Sequence, residues 1–122
     1  MTRSAVLICA EDPLAAALLG AAVELVGFEA TFPNGGEPPR DALLRERPRL
    51  VLVDCNHESA CGPSFFGPVL MTGARVLLVG SRRTRRDATE VAAPFGLRAI
   101  TLPADLATIA DLLRSELEAA GR

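Results

Sequence analysis

Three acidic side chains stand where chemistry is easiest to place. Glu11 and Asp12 directly follow the apolar run SAVLICA (Ser4 to Ala10), and Asp54 closes the run RLVLVD (Arg49 to Asp54). Clustered carboxylates favour a hard divalent cation such as Mg²⁺; without one they repel each other and their pKa values rise. Asp12 has a second reading, because Asp12-Pro13 has the form of a helix N-cap followed by a first-turn proline. Asp54 has no such plain alternative: a carboxylate ending a strand as apolar as LVLV needs a reason to be there. Arg82, Arg83, Arg85 and Arg86 form the densest basic run. It reads as a solvated loop, as the source of an arginine (Arg82 or Arg83) that reaches over Asp54, or as an anion or nucleic-acid patch, for which aromatic neighbours are missing. Cys55, His57 and Cys61 are metal-ligand types close to Asp54. Their spacing, Cys-x-His-x-x-x-Cys, is not a zinc-knuckle spacing, and no second cysteine pair exists. His57 is the sole histidine; it is expected in an exposed loop, and nothing in the sequence gives it a triad. Gly35-Gly36 and Gly80 lack the strand-turn-helix context of a phosphate-binding loop.

Composition narrows the field. With 122 residues there is room for one domain of ordinary size, expected to span 1–122. At 49% hydrophobic and 23% charged, the chain has the balance of a packed protein, not a disordered one. A formal net charge of −2 provides no global basic field for nucleic acid or an anionic membrane. All 13 basic residues are arginine, which excludes Schiff-base chemistry and lysine-dependent phosphate sites. There is no Trp or Tyr to stack on bases. The three cysteines, Cys9, Cys55 and Cys61, are an odd set with no secretory segment before them. The first apolar run, Ala5 to Ala10, is of strand length and too short to cross a bilayer. A cytoplasmic protein with reduced thiols is expected.

The elements that must position these residues alternate strictly. Apolar runs predict strands over Ser4–Ala10, Phe28–Phe32, Arg49–Asp54, Arg75–Gly80 and Leu97–Leu102. Between them the patterns are helical. The first helix follows Asp12-Pro13, with Leu14, Leu18, Ala21, Ala22 and Leu25 at helical spacing and Gly27 closing it. A short helix starts at Pro38-Pro39 and ends before Pro48. A poor one covers Ser64–Met71, weakened by Gly67 and Pro68. A fourth covers Thr84–Phe95, with Thr84 and Asp87 spaced like a capping box. The last, Asp105–Ala120, sets Leu106, Ile109, Leu113, Leu117 and Ala120 on one face. This rhythm implies a three-layer α/β/α, flavodoxin-like fold: a five-stranded parallel sheet in the doubly wound order 2-1-3-4-5. In such a sheet the functional crevice lies beyond the carboxyl ends of the strands, where Glu11, Asp12 and Asp54 are expected to converge.

The chain resembles the receiver domains of bacterial response regulators, the CheY-like family. VLICAEDP (Val6 to Pro13) stands where such domains carry their acidic residues, RPRLVLVD (Arg47 to Asp54) matches the phosphoacceptor strand, and ITLP (Ile100 to Pro103) keeps the proline of a Lys-Pro pair. The resemblance covers essentially the whole chain. It implies Asp54 as phosphoacceptor, Mg²⁺ held by Glu11, Asp54 and the Asn56 carbonyl with Asp12 nearby, and a cis bond before Pro103. Implied partners are a histidine kinase, a phosphotransfer protein or an output protein, with a homodimer through helix four, strand five and helix five. Neither nucleic acid nor membrane is an expected partner, and no enzyme activity is expected.

The departures shape the expected function. The first family acid falls on Ala10, the hydroxyl residue of strand four on Gly80 (with Ser81 one place later), the lysine on Leu102 and the aromatic switch position on Ala99. Each lost charge-assisted contact to a phosphoryl group costs about 1.5–3 kcal/mol. Two such losses slow transfer by roughly two to four orders of magnitude. The expectation is a degenerate receiver, with no obligatory cofactor, acting through protein-protein contact. The alternatives are a working phosphoacceptor that uses Mg²⁺ and a small-ligand binder using the same crevice.

Overall fold

The computed structural model describes residues 4–57, 59–81 and 87–120. Their order is β1 (Ala5–Cys9), α1 (Pro13–Leu25), β2 (Glu29–Thr31), α2 (Pro39–Glu46), β3 (Leu50–Asp54), α3 (Pro63–Met71), β4 (Arg75–Ser81), α4 (Ala88–Ala92), β5 (Arg98–Leu102) and α5 (Leu106–Ala120). Among the described residues the strands form one five-stranded sheet, β2-β1-β3-β4-β5, with every neighbouring pair parallel. This is the doubly wound order expected from the alternation of elements.

Strand alternation divides the apolar residues between two layers. Leu7, Cys9, Val51, Val53, Val76 and Leu78 pack with Ala42 and Leu43 of α2, Phe65, Phe66 and Val69 of α3, and Ala88 and Ala92 of α4. Val6, Ile8, Leu50, Leu52, Leu77, Val79, Ile100 and Leu102 pack on the other face with Leu19, Ala22 and Val23 of α1 and Ile109, Leu113 and Leu117 of α5. Each buried Val, Leu, Ile or Phe side chain among them contributes about 1.5–3 kcal/mol on burial, and each alanine about 1 kcal/mol or less. β3 is buried along its whole length because helices cover both faces.

Several elements differ from the sequence reading in extent or facing. β2 is trimmed to Glu29–Thr31. β4 runs one residue further, to Ser81, which pairs with Leu102. α1 buries Leu19, Ala22 and Val23, while Leu14 and Leu25 are exposed. With Glu24 its one charged residue, this helix offers little polar contrast to fix its inner face, and contact with α5 and β2 decides it. α3 accommodates Pro68, whose missing N–H removes one helical hydrogen bond, because Phe65, Phe66 and Val69 anchor it to the sheet. The fourth helix is much shorter than the predicted 84–95. Its N-cap is Asp87, whose side chain accepts from the Thr89 amide, and the chain tightens into a 3₁₀ turn at Ala93–Phe95, where Pro94 has no N–H to give. The expected capping role of Thr84 lies outside the described residues.

α5 carries the least anticipated feature. Leu106 is exposed and leaves the predicted stripe, while Glu116, which the stripe did not include, is only 1% exposed. One of its oxygens, Oε2, accepts from Arg75 Nε at 2.6 Å. Arg98 Nε lies 3.7 Å from Oε1, and Arg98 Nη1 donates to Ser115 Oγ at 2.9 Å. Arg75 and Arg98 open β4 and β5, so this acid ties the last helix to the strand ends opposite Asp54.

Candidate functional site

Asp54 is the last residue of β3 and is 7% exposed, against complete burial of Leu50 to Val53 before it. The chain turns immediately. The Asn56 amide donates to Asp54 Oδ1 at 2.9 Å, and the His57 amide donates to the Asp54 carbonyl at 2.9 Å. The Cys55 amide donates to the Val79 carbonyl, continuing the ladder to β4 one step beyond the strand. Asp54 is thus held by its own turn and by β4, with its carboxylate at the floor of a crevice. The cavity there measures about 500 Å³ and is lined by Asp12, Leu14, Ala15, Leu18, Asp54, Asn56, Val79, Gly80, Ser81, Leu102 and Pro103. These residues come from α1, β3, β4 and β5, so the crevice opens across the carboxyl ends of adjacent strands.

The acidic residues are not the three-carboxylate cluster that the sequence suggested. Asp12 lines the crevice, but its Oδ1 accepts from the Leu14 amide at 3.0 Å and caps α1. Glu11 is exposed, one residue before that cap. Among the described residues, no three His, Cys, Asp or Glu side chains lie close enough to hold a metal ion together. Position 10, where the resemblance implies a further acid, is Ala10, half-buried against the core. The residues present therefore fit Mg²⁺ poorly: the cap engages one carboxylate, one acid is replaced by a methyl group, and the facing wall is aliphatic.

That wall is where the departures from the resemblance fall. Leu102, 8% exposed, presents a hydrocarbon side chain where a lysine is implied. Gly80 supplies backbone alone, and Ser81 beyond it is half-buried and also lines the crevice. Ala99 packs against the α3–α4 layer. The Leu102–Pro103 peptide is cis. Arg82 and Arg83, with Arg85 and Arg86, lie outside the described residues, as does the idea that one of them reaches Asp54. His57 is half-buried, not a freely exposed loop residue, and its Nδ1 is buried with no hydrogen-bond partner among the described residues. The turn that begins at Asp54 draws it in, with the Ala60 and Cys61 amides both donating to its carbonyl. Cys9 is buried in the layer under α2, α3 and α4, and burial pushes its thiol up to about 12.

The apolar half of the crevice escaped the sequence reading. Leu14 and Leu18 belong to the periodic apolar face that the sequence predicts for the first helix, and that pattern does not single out Ala15. The available signal was position: Leu14 and Ala15 follow the Asp12-Pro13 cap directly, and a first turn after strand one faces the crevice.

No protein-family model matches the sequence, and no curated protein matches it. Solved structures do match in shape. The chain is similar to a response regulator receiver protein from Burkholderia phymatum at 17% identity, covering 95% of this chain and 96% of that one with a TM-score of 0.76. It is similar to a CheY-like receiver domain protein from Methanospirillum hungatei at 16% identity, covering 98% of each chain with a TM-score of 0.77. A response regulator from Thermotoga maritima aligns at 17% identity over 97% of this chain and 99% of that one, with a TM-score of 0.73. The fold is that of receiver domains, the CheY-like form of the flavodoxin-like architecture. Among the described residues, no helix is long and apolar enough to cross a membrane.

Proposed function

We propose that this chain is a receiver-like signalling module whose phosphoacceptor site is degenerate, and that it works by protein-protein contact. The face formed by α4, β5 and α5 is the proposed contact surface, for a histidine kinase, a phosphotransfer protein, an output protein or a second copy. The observation that carries this reading is the crevice wall. Asp54 ends its strand at the floor, but Leu102 and Gly80 face it with neither a cation nor a hydroxyl. Among the described residues, a dianionic phosphoryl group on Asp54 would meet the Asp12 carboxylate and mostly aliphatic side chains, with Ser81 the one hydroxyl in the lining and no cationic side chain in it. The chain's own contributions are the Asn56 amide at Oδ1, which orients the carboxylate, and the apolar lining supplied by Leu18 and Leu102.

The second reading, a working phosphoacceptor at Asp54 assisted by Mg²⁺ on Glu11, Asp54 and the Asn56 carbonyl, is favoured by the placement of Asp54 itself. Incubation with Mg²⁺ and acetyl phosphate, followed by intact mass, separates the two. The proposed reading expects little or no gain of one phosphoryl mass under conditions that fully modify an ordinary receiver, and an increased yield in the Gly80→Thr, Leu102→Lys double variant. Rapid gain by the wild type, lost in Asp54→Asn, would overturn it.

A further inference from the structure

Among the described residues, the crevice above Asp54 pairs one buried carboxylate with largely aliphatic walls, the exposed helix cap Asp12 and Ser81 completing the polar lining. Leu14, Ala15, Leu18, Val79, Leu102 and Pro103 supply the apolar part of its lining, in a cavity of about 500 Å³, a size that suits a small organic molecule. Leu14 is 81% exposed and stands at the mouth. Among the described residues, the donor on the Asp54 carboxylate is the Asn56 amide at Oδ1. A carboxylate in this setting attracts a cation and repels an anion. The walls select the kind of cation. A hard metal ion requires several oxygen ligands, which aliphatic side chains cannot replace. An organic ammonium requires one charge-assisted contact and gains further by burying its hydrocarbon body.

We propose that the crevice binds a small amphipathic amine. Its ammonium donates to the Asp54 carboxylate, its apolar body lies against Leu18, Leu102 and Pro103, and Leu14 folds over the entrance. This inference stands apart from the signalling reading, since a degenerate receiver and a working one both present the same walls.

The test is a titration of ¹⁵N-labelled protein at pH 7 with 2-phenylethylammonium chloride, followed by amide chemical shifts. 2-Phenylethanol and 3-phenylpropanoate serve as neutral and anionic probes of similar shape. The amine is expected to give saturable shifts at Asn56, Gly80 and Ser81, the alcohol to bind at least about tenfold more weakly, and the carboxylate not to bind. Asp54→Asn should weaken the amine at least about tenfold and leave the alcohol unchanged. Leu102→Lys, which brings its own ammonium to Asp54, should abolish amine binding and keeps the test open if Asp54→Asn does not fold. The proposal is overturned if the amine gives no saturable shifts, if the three probes bind equally, if the shifts map away from the crevice, or if a folded Asp54→Asn binds the amine as the wild type does. No phosphodonor is present, so this outcome and the mass experiment vary independently.

Discussion

Replacing Leu102 by lysine tests the geometry of the crevice through stability alone. Asp54 pairs with Val79 across β3 and β4, and Ser81 pairs with Leu102 across β4 and β5. Position 102 therefore lies two strands over from Asp54, about 10 Å at ordinary strand spacing, and further along the chain direction, within the span of a lysine stem folded back over Gly80. Leu102 is 8% exposed, so its loss removes most of a leucine's burial, about 1.5–3 kcal/mol. A lysine ammonium on Asp54 returns a hydrogen bond between charged groups, about 1.5–3 kcal/mol, less up to about 2 kcal/mol of side-chain entropy. The single variant is then expected to be about 1–2 kcal/mol less stable than wild type. With Asp54→Asn the returned term vanishes, so the double variant should fall below the sum of the single effects by about 1 kcal/mol or more. Urea unfolding of the four proteins at pH 7 and low salt gives the coupling. A coupling within about 0.3 kcal/mol of zero would show that position 102 does not address Asp54, and would remove the basis for reading Leu102 as the lost cation.

Other expectations follow from single contacts. Asp12→Ala removes the side-chain acceptor for the Leu14 amide and should cost about 1 kcal/mol in thermal unfolding; no change would show that Pro13 alone starts α1. Arg75→Met leaves Glu116, 1% exposed, with Arg98 at 3.7 Å as its remaining cationic partner among the described residues; a loss of about 1–3 kcal/mol is expected by urea unfolding, largely recovered when Glu116→Leu is added. The Cys9 thiol, pushed up to about 12 from 9.0, holds its proton more tightly folded than unfolded. Stability should therefore fall as pH rises through that window, and Cys9→Ala should flatten that part of the unfolding midpoint against pH.

The sequence displayed its fold through alternation. Five short apolar runs separated by capped, periodic segments leave few arrangements open, and right-handed crossovers leave fewer. Asp54 was legible for the same reason: a carboxylate ending LVLV has no solvent to explain it. Facing was not legible where a segment lacked polar contrast. In α1 the one charged residue between Leu14 and Leu25, Glu24, is too little to mark Leu19 and Val23 as inner and Leu14 as outer; packing against α5 and β2 decides it. Glu116 inverted the usual signal, because its charge suggested solvent while Arg75, distant in sequence, stabilises it inside. Asp12 held two readings, metal ligand and cap, and the short distance to its own helix amide favoured the cap.

Val79 and Leu102 each belong to two parts of the molecule at once. Both pack in the α1–α5 layer and both line the crevice. The crevice wall is thus the outer surface of the core, with no separate layer of side chains between them. Sequence drift that merely repacks α5 would recut the cavity as a by-product, and selection on the cavity would be felt as a change in folding stability. In a protein of this build, the shape of the crevice and thermal tolerance share the same side chains and cannot be adjusted one at a time.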